Sequence, residues 1–310
     1  MNTDDHPLVR LGKFLQARNY AFVTVTPDTH LRVLARQNRG ITLRDVFGWN
    51  KVFRPADLPQ EMLQCLEAAG EAKMTAGGVR SGIRASTLGG QLFLHSAFPT
   101  SAEDAVFFGP DSYRFVRLIE QVLKGVDTSK LKHAADIGCG SGVGGIALRR
   151  LIGEQLEVKL SDINESALRF ARLNCKINDL CDVEFVQSDV FSSLPDTLDL
   201  IVSNPPYLVD AKQRLYRHGG GPFGFDLSVR IVDESIQHLR TGGSLILYTG
   251  TVIADGQDML REALKPVLSN PYLSTSYSEI DPDVFGTELE WPPYHFADRI
   301  AVVAVHLAKR

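Results

Sequence analysis

The chain has 310 residues, of which 44% are hydrophobic and 23% are charged, with a formal net charge of -4 and a pI of about 6.1. This composition is typical of a folded protein with a sizeable core, and it excludes an overall basic field that would draw the whole protein to nucleic acid. No apolar run approaches the ~20 residues that a membrane-spanning helix needs.

The four cysteines form no C-x-x-C pair, and the eight histidines show no H-E-x-x-H spacing. The sequence therefore predicts neither a zinc site nor a disulfide framework, and it favours a reducing compartment. The polar, acidic start MNTDDHPLVR lacks the apolar segment of a signal peptide. We expect a cytoplasmic protein without a metal and without a membrane partner.

The first hundred residues mix helical patterns with a predicted hairpin. LRVLARQ and EMLQCLEAAGEA have helical patterns, and GIRASTLGGQLFLHSAF is typical of two strands around the turn at Leu88, Gly89 and Gly90. Helices followed by a hairpin are compatible with a winged-helix-like module. We expect residues 1–105 to form an α+β domain that recognises substrate or has an accessory role.

Basic residues are concentrated near the start of the chain. Between Leu8 and Gln60 there are nine basic and only three acidic residues. The nine are Arg10, Lys13, Arg18, Arg32, Arg36, Arg39, Arg44, Lys51 and Arg54. This stretch indicates either a solvated face or a surface for an anionic partner.

Strands and helices alternate from about residue 131 onward. Seven segments have strand patterns, namely HAADIG, LEVKLSD, DVEFVQSD, LDLIVSN, SLILYTG, LSTSYSEI and RIAVVAVHLA. Predicted helices lie between them, including GFDLSVRIVDESIQHL, which TGG would end, and a helix from Asp258 to Val267. The alternation predicts an α/β fold with a Rossmann-like, doubly wound, mostly parallel seven-stranded sheet over residues 106–310.

A glycine-rich loop, DIGCGSGVGG at 136–145, follows the first of these strands and opens a helix. Glycines let the backbone approach a ligand, and the helix start offers free amides. Asp162 ends the next strand, where a carboxylate can accept both ribose hydroxyls of a nucleoside. Asp189 ends the third strand, where it could accept from an adenine amino group. The pattern predicts a nucleoside cofactor.

Residues 204–207 read NPPY and end the fourth strand. Both prolines lack the amide hydrogen that a β-ladder needs, so the strand must stop there. A turn is the plain interpretation. The alternative is a site for a flat group that carries an NH2.

Four motifs in this order resemble class I S-adenosyl-L-methionine-dependent methyltransferases: D-x-G-x-G-x-G at 136–142, the segment from Asp162 to Asn174, S-D-V at 188–190 and N-P-P-Y. More narrowly they resemble the HemK-like release-factor glutamine methyltransferases and the adenine-N6 methyltransferases. GGGPFGFDLSVRIVDE is also similar to a stretch downstream of NPPY in the glutamine enzymes. The resemblance covers about Phe107 to Tyr248 and implies that 106–310 is a methyltransferase domain.

The resemblance implies S-adenosyl-L-methionine as the cofactor and a role for each matching residue. The implied cofactor-binding residues are Asp136, Gly138, Gly140, Gly142, Asp162, Asp189, Val190 and Ser112. The glycines would line the methionine part, and Asp136 would interact with its amine, directly or through its backbone neighbours. Asp189 and Val190 would flank the adenine. Ser112 lies in FFGPDSYRF, which resembles the P-R-P-x-T-E segment of the glutamine enzymes except that Tyr113 stands in place of the acid.

Asn204, Pro205 and Tyr207 are the predicted catalytic residues. An amide or exocyclic NH2 is a poor nucleophile, because its lone pair is delocalised. The Asn204 carboxamide oxygen and the Pro205 carbonyl could each accept one of its N–H groups, and Tyr207 could stack on the planar group. Catalysis would then consist of positioning and electrostatic preorganisation.

Several functions stay open at this point. The methyl acceptor could be a protein glutamine, a nucleic-acid base or a small metabolite. A function of another class is a nicotinamide-dependent oxidoreductase, since Gly140, Gly142 and Gly145 fit G-x-G-x-x-G. A non-catalytic module that only binds the cofactor is a third possibility.

Two further stretches could shape the substrate side. His218 and the three glycines after it could let a loop close over the site, or they could be a linker. DPDVFGTELEWPPYHFADR repeats the PPY sequence with Trp291 in place of the asparagine. We interpret it as a rim or lid, in which Phe285, Trp291 and Tyr294 either frame a flat substrate or cap the core.

Overall fold

The computed structural model describes residues 6–36, 40–195 and 197–310. Residues 1–5 of the first predicted domain, Gln37 at the end of LRVLARQ and Arg39 of the basic stretch lie outside the described residues. None of the helices within the described ranges is long and apolar enough to cross a bilayer.

Within the described residues, the N-terminal part contains three α-helices, a π-helical turn (Arg44–Gly48), a 3-10 turn (Pro55–Asp57) and two separate hairpins. Its elements are α1 (Pro7–Ala17), α2 (Pro27–Leu34), α3 (Gln60–Ala68), β1 (Ala72–Thr75), β2 (Gly78–Ser81), β3 (Ile83–Leu88) and β4 (Gln91–Ser96). β1 pairs with β2 and β3 pairs with β4, both antiparallel. The predicted turn joins β3 to β4: Gly89 and Gly90 have φ of +58° and +81°, as a two-residue hairpin loop requires.

The large sheet follows the predicted architecture. Its strands are β5 (His133–Ile137), β6 (Glu157–Asp162), β7 (Val183–Gln187), β8 (Leu198–Ser203), β9 (Leu239–Ala254), β10 (Gln257–Asp258), β11 (Leu273–Asp281) and β12 (Arg299–Lys309). The main path runs β11-β12-β9-β8-β5-β6-β7, and the two-residue β10 pairs with β9. The five strands from β9 to β7 are parallel and β11 and β12 are antiparallel, so the mostly parallel seven-stranded sheet is confirmed.

Helices cover both faces of this sheet. They are α4 (Pro110–Leu123), α5 (Val143–Ile152), α6 (Glu165–Ile177), α7 (Asp226–His238), α8 (Met259–Ala263) and α9 (Lys265–Leu268). One buried cluster joins α4 and α5 to the sheet, and a second joins α7 and α8 to it. The fold is therefore doubly wound, as the alternation of elements predicts.

Two details differ from the sequence-based prediction. The TGG segment does not end α7, because β9 begins at Leu239 directly after that helix. Gly242 lies inside the strand with φ of +82°, near a register shift between β8 and β9, which is a place where glycine is favoured. The predicted helix at 258–267 is two short helices, since Pro266 has no N–H for the carbonyl of Glu262.

Asn174 of α6 and Asn178, the residue that caps the end of this helix, hold the β3–β4 hairpin against the helix. Asn174 accepts a hydrogen bond from Leu94 N (2.7 Å) and donates to Leu94 O (3.0 Å). Asn178, one helical turn later, bonds in the same way to Leu92 N (3.0 Å) and O (2.8 Å). The two side chains therefore satisfy the free edge of β4 in place of another strand. Asn174 also donates to Ser141 O of the glycine loop (2.9 Å).

We expect Asn174→Ala to lower the free energy of unfolding by about 1–3 kcal/mol for each buried backbone group of β4 that it leaves without a partner. Urea denaturation measures the change. Asn178→Ala is the matched control, and its loss should be smaller, since this side chain is only partly buried and water can replace it. Equal losses in the two variants would contradict the account.

Candidate active site

A cavity of about 430 Å³ opens at the carboxyl ends of the parallel strands. The parallel pairing of β5 with both β6 and β8 brings the ends of these three strands to one edge of the sheet. Ten of the eleven predicted site residues line this cavity: Ser112, Asp136, Gly138, Gly140, Asp162, Asp189, Val190, Asn204, Pro205 and Tyr207. Gly142 is not among the lining residues. It precedes α5 with φ of +83°, and a Cβ there would meet Ala171 at 3.3 Å.

Asp136 is a buried carboxyl group near the end of β5. One of its oxygens accepts a hydrogen bond from Gly145 N at 2.8 Å, in the first turn of α5. Burial raises its pKa to about 7, against the effect of this hydrogen bond. The site thus contains a carboxyl group whose charge depends on what binds beside it.

Asp162 connects the end of β6 to the glycine loop. Its two oxygens accept hydrogen bonds from Gly140 N and Asn164 N, both at 2.9 Å. Burial raises its pKa as well. Each oxygen keeps a free lone pair, so the carboxylate can still accept hydrogen bonds from a ligand.

The glycine loop leaves open space above its backbone. Gly138 and Gly140 have φ of +66° and +54°, a region that other residues rarely adopt. A Cβ built on either residue meets no atom within 4 Å. The loop therefore presents bare backbone to the cavity.

Asp189 and Val190 follow β7 and differ in their environment. The Asp189 carboxylate is exposed and forms an ion pair with Arg230 of α7 at 2.7 Å. Val190 is buried and has φ of +53°, which is a strained conformation for a β-branched residue. Such strain often occurs where the backbone serves a ligand.

Asn204 directly follows β8. Ser203, the last residue of that strand, donates a hydrogen bond to Ile137 O at 2.7 Å and so fixes the ends of β8 and β5 together. The Asn204 carboxamide is half-buried and makes no hydrogen bond within the described residues. It is therefore available to a bound molecule.

Tyr207 is buried and firmly held. Its hydroxyl donates a hydrogen bond to Asp111 Oδ2 at 2.8 Å. Its ring lies against Gly250, where a Cβ would come within 2.1 Å of a ring carbon. The ring of Phe285 packs edge-on at 5.9 Å between centroids. None of these three contacts is predicted by a motif in the sequence.

Asp111 is the main site residue that the sequence analysis missed. It lies in the FFGPDSYRF segment, lines the cavity and is 5% exposed. Tyr113, which stands where the resemblance expects an acid, points away from the cavity and accepts from Thr24 N at 3.0 Å. The sequence contained one signal for Asp111: the segment has a tyrosine where the similar P-R-P-x-T-E segment has an acid, and Asp111 is the acid that this segment does contain.

One wall of the cavity is aromatic. Phe107 and Tyr216 line it with nearly parallel rings, 6.2 Å apart between centroids. The Tyr216 hydroxyl donates to Thr100 O at 2.7 Å, and Leu215 N donates to Glu103 O at 3.2 Å. The wall is thus built jointly from the segment after β4 and the segment after NPPY.

The loop after NPPY folds back on the motif. His218 lines the cavity, and its Nδ1 accepts a hydrogen bond from Asp210 N at 3.1 Å. Gly219 N donates to Leu208 O at 2.9 Å. A Cβ on Gly219 would come within 2.4 Å of Pro206 O, so this glycine permits a close approach.

The WPPY segment packs against the NPPY loop from outside. Tyr294 is buried, and its hydroxyl accepts a hydrogen bond from Val209 N at 2.7 Å. Phe285 lines the cavity, whereas Trp291 is 60% exposed and does not. Tyr294 therefore caps the core, and of these three aromatics Phe285 alone reaches the site. Within the described residues, no three His, Cys, Asp or Glu side chains converge as metal ligands.

Residues 118–270 match the protein family described as the methyltransferase small domain. A release factor glutamine methyltransferase from Lactococcus lactis subsp. lactis (strain IL1403) is 35% identical over 144 residues, which cover 43% of this chain and 52% of that protein. A ribosomal RNA small subunit methyltransferase C from Pseudomonas putida (strain W619) is 31% identical over 132 residues, which cover 43% of this chain and 36% of that protein. The chain thus spans about half the length, or less, of these curated relatives.

Among solved structures, Trm5b from Pyrococcus abyssi superposes with a TM-score of 0.50 at 14% sequence identity. The superposition covers 81% of this chain and 68% of that one. At this identity the likeness shows a shared fold and nothing more.

Asp136 predicts a pH dependence of stability. The folded state holds its proton up to about pH 7, whereas an unfolded aspartate releases it near pH ~3.9. Between these values the folded state binds more protons, so its stability falls as pH rises, by up to about 1.4 kcal/mol per pH unit. Asp136→Asn cannot ionise and should lack this contribution.

Urea denaturation of both proteins at pH 5 and pH 8 measures the effect. Wild type should be more stable relative to Asp136→Asn at pH 5 than at pH 8. Asp283→Asn, which removes an exposed carboxyl group, is the control. A difference between wild type and Asp136→Asn that does not change with pH would contradict the raised pKa.

Proposed function

We propose that this chain, whose residues 118–270 belong to the methyltransferase small domain family, is an N-methyltransferase that acts on a planar amide or an exocyclic NH2. One observation carries the proposal. The unpartnered Asn204 carboxamide opens into the same cavity as the glycine loop and Asp162. The Asn204 oxygen, which can accept an N–H group, therefore lies at the same sheet edge as the residues proposed to bind the nucleoside.

The cofactor of this domain is S-adenosyl-L-methionine, which supplies an electrophilic methyl group on a sulfonium. The residues present fit such a molecule. Gly138 and Gly140 leave bare backbone for the methionine part, and Asp162 has lone pairs for the ribose hydroxyls. We propose that Asp136 interacts with the amine of the methionine part and that Asp189 and Val190 flank the adenine.

The remaining proposed cofactor residues act less directly. Gly142 starts α5 and lets the loop turn close to α6. The Ser112 hydroxyl accepts a hydrogen bond from Gly109 N at 3.3 Å, which orders the start of α4 beside the cavity. No nicotinamide chemistry is needed to account for these residues, and the family match favours methyl transfer over the oxidoreductase alternative.

Catalysis would rest on how the chain holds the acceptor. The Asn204 oxygen and the Pro205 carbonyl can each accept one N–H of a planar NH2, which aims its lone pair into the cavity. Neither group is a strong base, so neither removes a proton before transfer. Such positioning can supply about 7–11 kcal/mol of a barrier, and the fixed dipoles add electrostatic preorganisation.

The identity of the acceptor is part of the proposal. The two relatives are named for a protein glutamine and for ribosomal RNA, and we propose a protein or nucleic-acid acceptor in the cytoplasm. A small metabolite is the third candidate.

The basic stretch bears on the nucleic-acid candidate. Lys13, Lys51 and Arg54 form ion pairs at 2.6–3.0 Å with Asp179, Asp45 and Asp57, respectively. These pairs reduce the positive charge that the stretch offers to phosphates. If the affinity of the protein for nucleic acid fell steeply as salt rose, the nucleic-acid acceptor would still be favoured.

Asn204→Ala tests the proposed reaction. We expect its affinity for S-adenosylhomocysteine to stay near that of wild type, while turnover falls by roughly 100-fold or more, the scale of one lost transition-state contact. Calorimetry measures the affinity. Transfer of label from [methyl-³H]S-adenosylmethionine into the protein, nucleic-acid and small-molecule fractions of a cell extract measures turnover and identifies the acceptor class.

Asn270→Ala is the matched control, because Asn270 does not line the cavity and its side chain accepts a hydrogen bond from Tyr272 N. This variant should keep wild-type turnover. Near-normal turnover of Asn204→Ala would refute the role of the carboxamide.

Asp162→Ala should show the opposite pattern. It removes the ribose acceptor and the brace of the glycine loop, and bonds to a charged group are worth about 1.5–3 kcal/mol each. We expect the affinity for S-adenosylhomocysteine to fall by at least about 10-fold, since each 1.4 kcal/mol is a factor of ten. Calorimetry would contradict this assignment if the affinity were unchanged.

A further inference from the structure

The Asp111 carboxylate is shared by two buried tyrosines. Tyr207 donates to its Oδ2 and Tyr248 donates to its Oδ1, both at 2.8 Å. Tyr207 belongs to NPPY, and Tyr248 lies on the neighbouring strand β9. All three side chains are buried. One carboxylate at the start of α4 therefore joins the motif that ends β8 to the adjacent strand.

Among the residues that the structure describes, the bond to Asp111 is the one hydrogen bond of the Tyr207 side chain. The ring lies against Gly250 on one side and has the edge of Phe285 near it on another. These contacts are apolar and contain no directional bond. The hydrogen bond to Asp111 adds a directional constraint on the position of the hydroxyl, because such bonds weaken steeply with distance and angle.

A cation compensates the buried carboxylate. Arg114, one turn later on α4, lies 3.3 Å from Asp111 Oδ1 and 2.8 Å from Asp281 Oδ2. Burial raises the pKa of Asp111, while the two phenols and Arg114 lower it. Asp281 ends β11, just before the segment that carries Phe285. The anchor is thus part of a connected network rather than an isolated bond.

We propose that Asp111 is a positioning residue that holds the NPPY motif in the geometry for methyl transfer by anchoring Tyr207. This inference rests on the proposed function. Because Asn204 and Tyr207 are separated only by two prolines, whose φ angles are fixed, a displacement of Tyr207 is transmitted to the Asn204 carboxamide. A displacement of about 1 Å at a reacting group can cost on the order of 100-fold in rate.

Asp111 also explains the departure of the upstream segment from its expected pattern. The acid absent at position 113 has a counterpart two residues earlier, and that residue faces the cavity. Tyr113 instead joins α4 to Thr24 of the N-terminal part. The segment thus keeps a carboxylate at the site while its tyrosine serves the domain contact.

The experiment compares Tyr207→Phe, Asp111→Asn and the double variant with wild type. Three quantities are measured: the melting temperature, the affinity for S-adenosylhomocysteine by calorimetry, and the saturating rate of label transfer from [methyl-³H]S-adenosylmethionine into the extract fraction that wild type labels. Tyr277→Phe is the matched control. It removes a phenol–carboxylate bond of 2.7 Å, to Asp258, from a cluster outside the cavity.

We expect Tyr207→Phe to reduce the saturating rate by about 10- to 100-fold at temperatures where it is fully folded, with its affinity for S-adenosylhomocysteine within about threefold of wild type. Asp111→Asn keeps one acceptor oxygen, so its saturating rate should lie between those of wild type and Tyr207→Phe. The double variant should lose no more than the larger single loss, because both residues act through one bond. Tyr277→Phe should lower the melting temperature and keep the wild-type rate.

Three outcomes would overturn the inference. They are a wild-type rate in Tyr207→Phe, losses that multiply in the double variant, or an equal loss of rate in Tyr277→Phe. Failure of the proposed function is distinguishable, because wild type itself would then transfer no label to any fraction. If Asp111→Asn does not fold, Tyr207→Phe and Tyr277→Phe still decide the question.

Discussion

The parallel pairing of β5 with β6 on one side and β8 on the other is the constraint on which the site depends. It brings the glycine loop, Asp162 and Asn204 to one edge of the sheet, although they are far apart in the chain. The hydroxyl of Ser203 and the carboxylate of Asp162 then fix the loops across neighbouring strand ends. The hydrogen bonds that hold the sheet edge together are therefore also those that shape the cavity.

Buried carboxyl groups are a second feature of this edge of the sheet. Asp111, Asp136 and Asp162 all line the cavity, and burial raises the pKa of each. Burial of charge is costly unless hydrogen bonds compensate it, and each group has such partners: phenols for Asp111 and backbone amides for the other two. Because backbone amides are fixed, these carboxyl groups are held in place before any ligand arrives, which is the arrangement that preorganised catalysis requires.

The N-terminal part is integrated with this edge rather than merely attached to it. Side chains of α6 complete the hydrophobic core of the N-terminal part, and Asn174 bonds both to β4 and to the glycine loop. The segment after β4 forms one wall of the cavity through Phe107. The N-terminal part therefore contacts the cavity at two places, the glycine loop through Asn174 and the aromatic wall through Phe107.

The sequence by itself determined the alternation of strands and helices, the seven-stranded sheet and the residues at the strand ends, because hydrophobic periodicity, glycines and prolines act locally. NPPY and the glycine loop could be found for the same reason. Only the tertiary structure decided that Asp111 anchors Tyr207, since those residues are 96 positions apart. It also decided that Asn174 completes the edge of β4 and that Gly142 lies against α6 instead of lining the cavity. Such contacts depend on how elements pack, and a local pattern carries no information about which distant side chain will meet it.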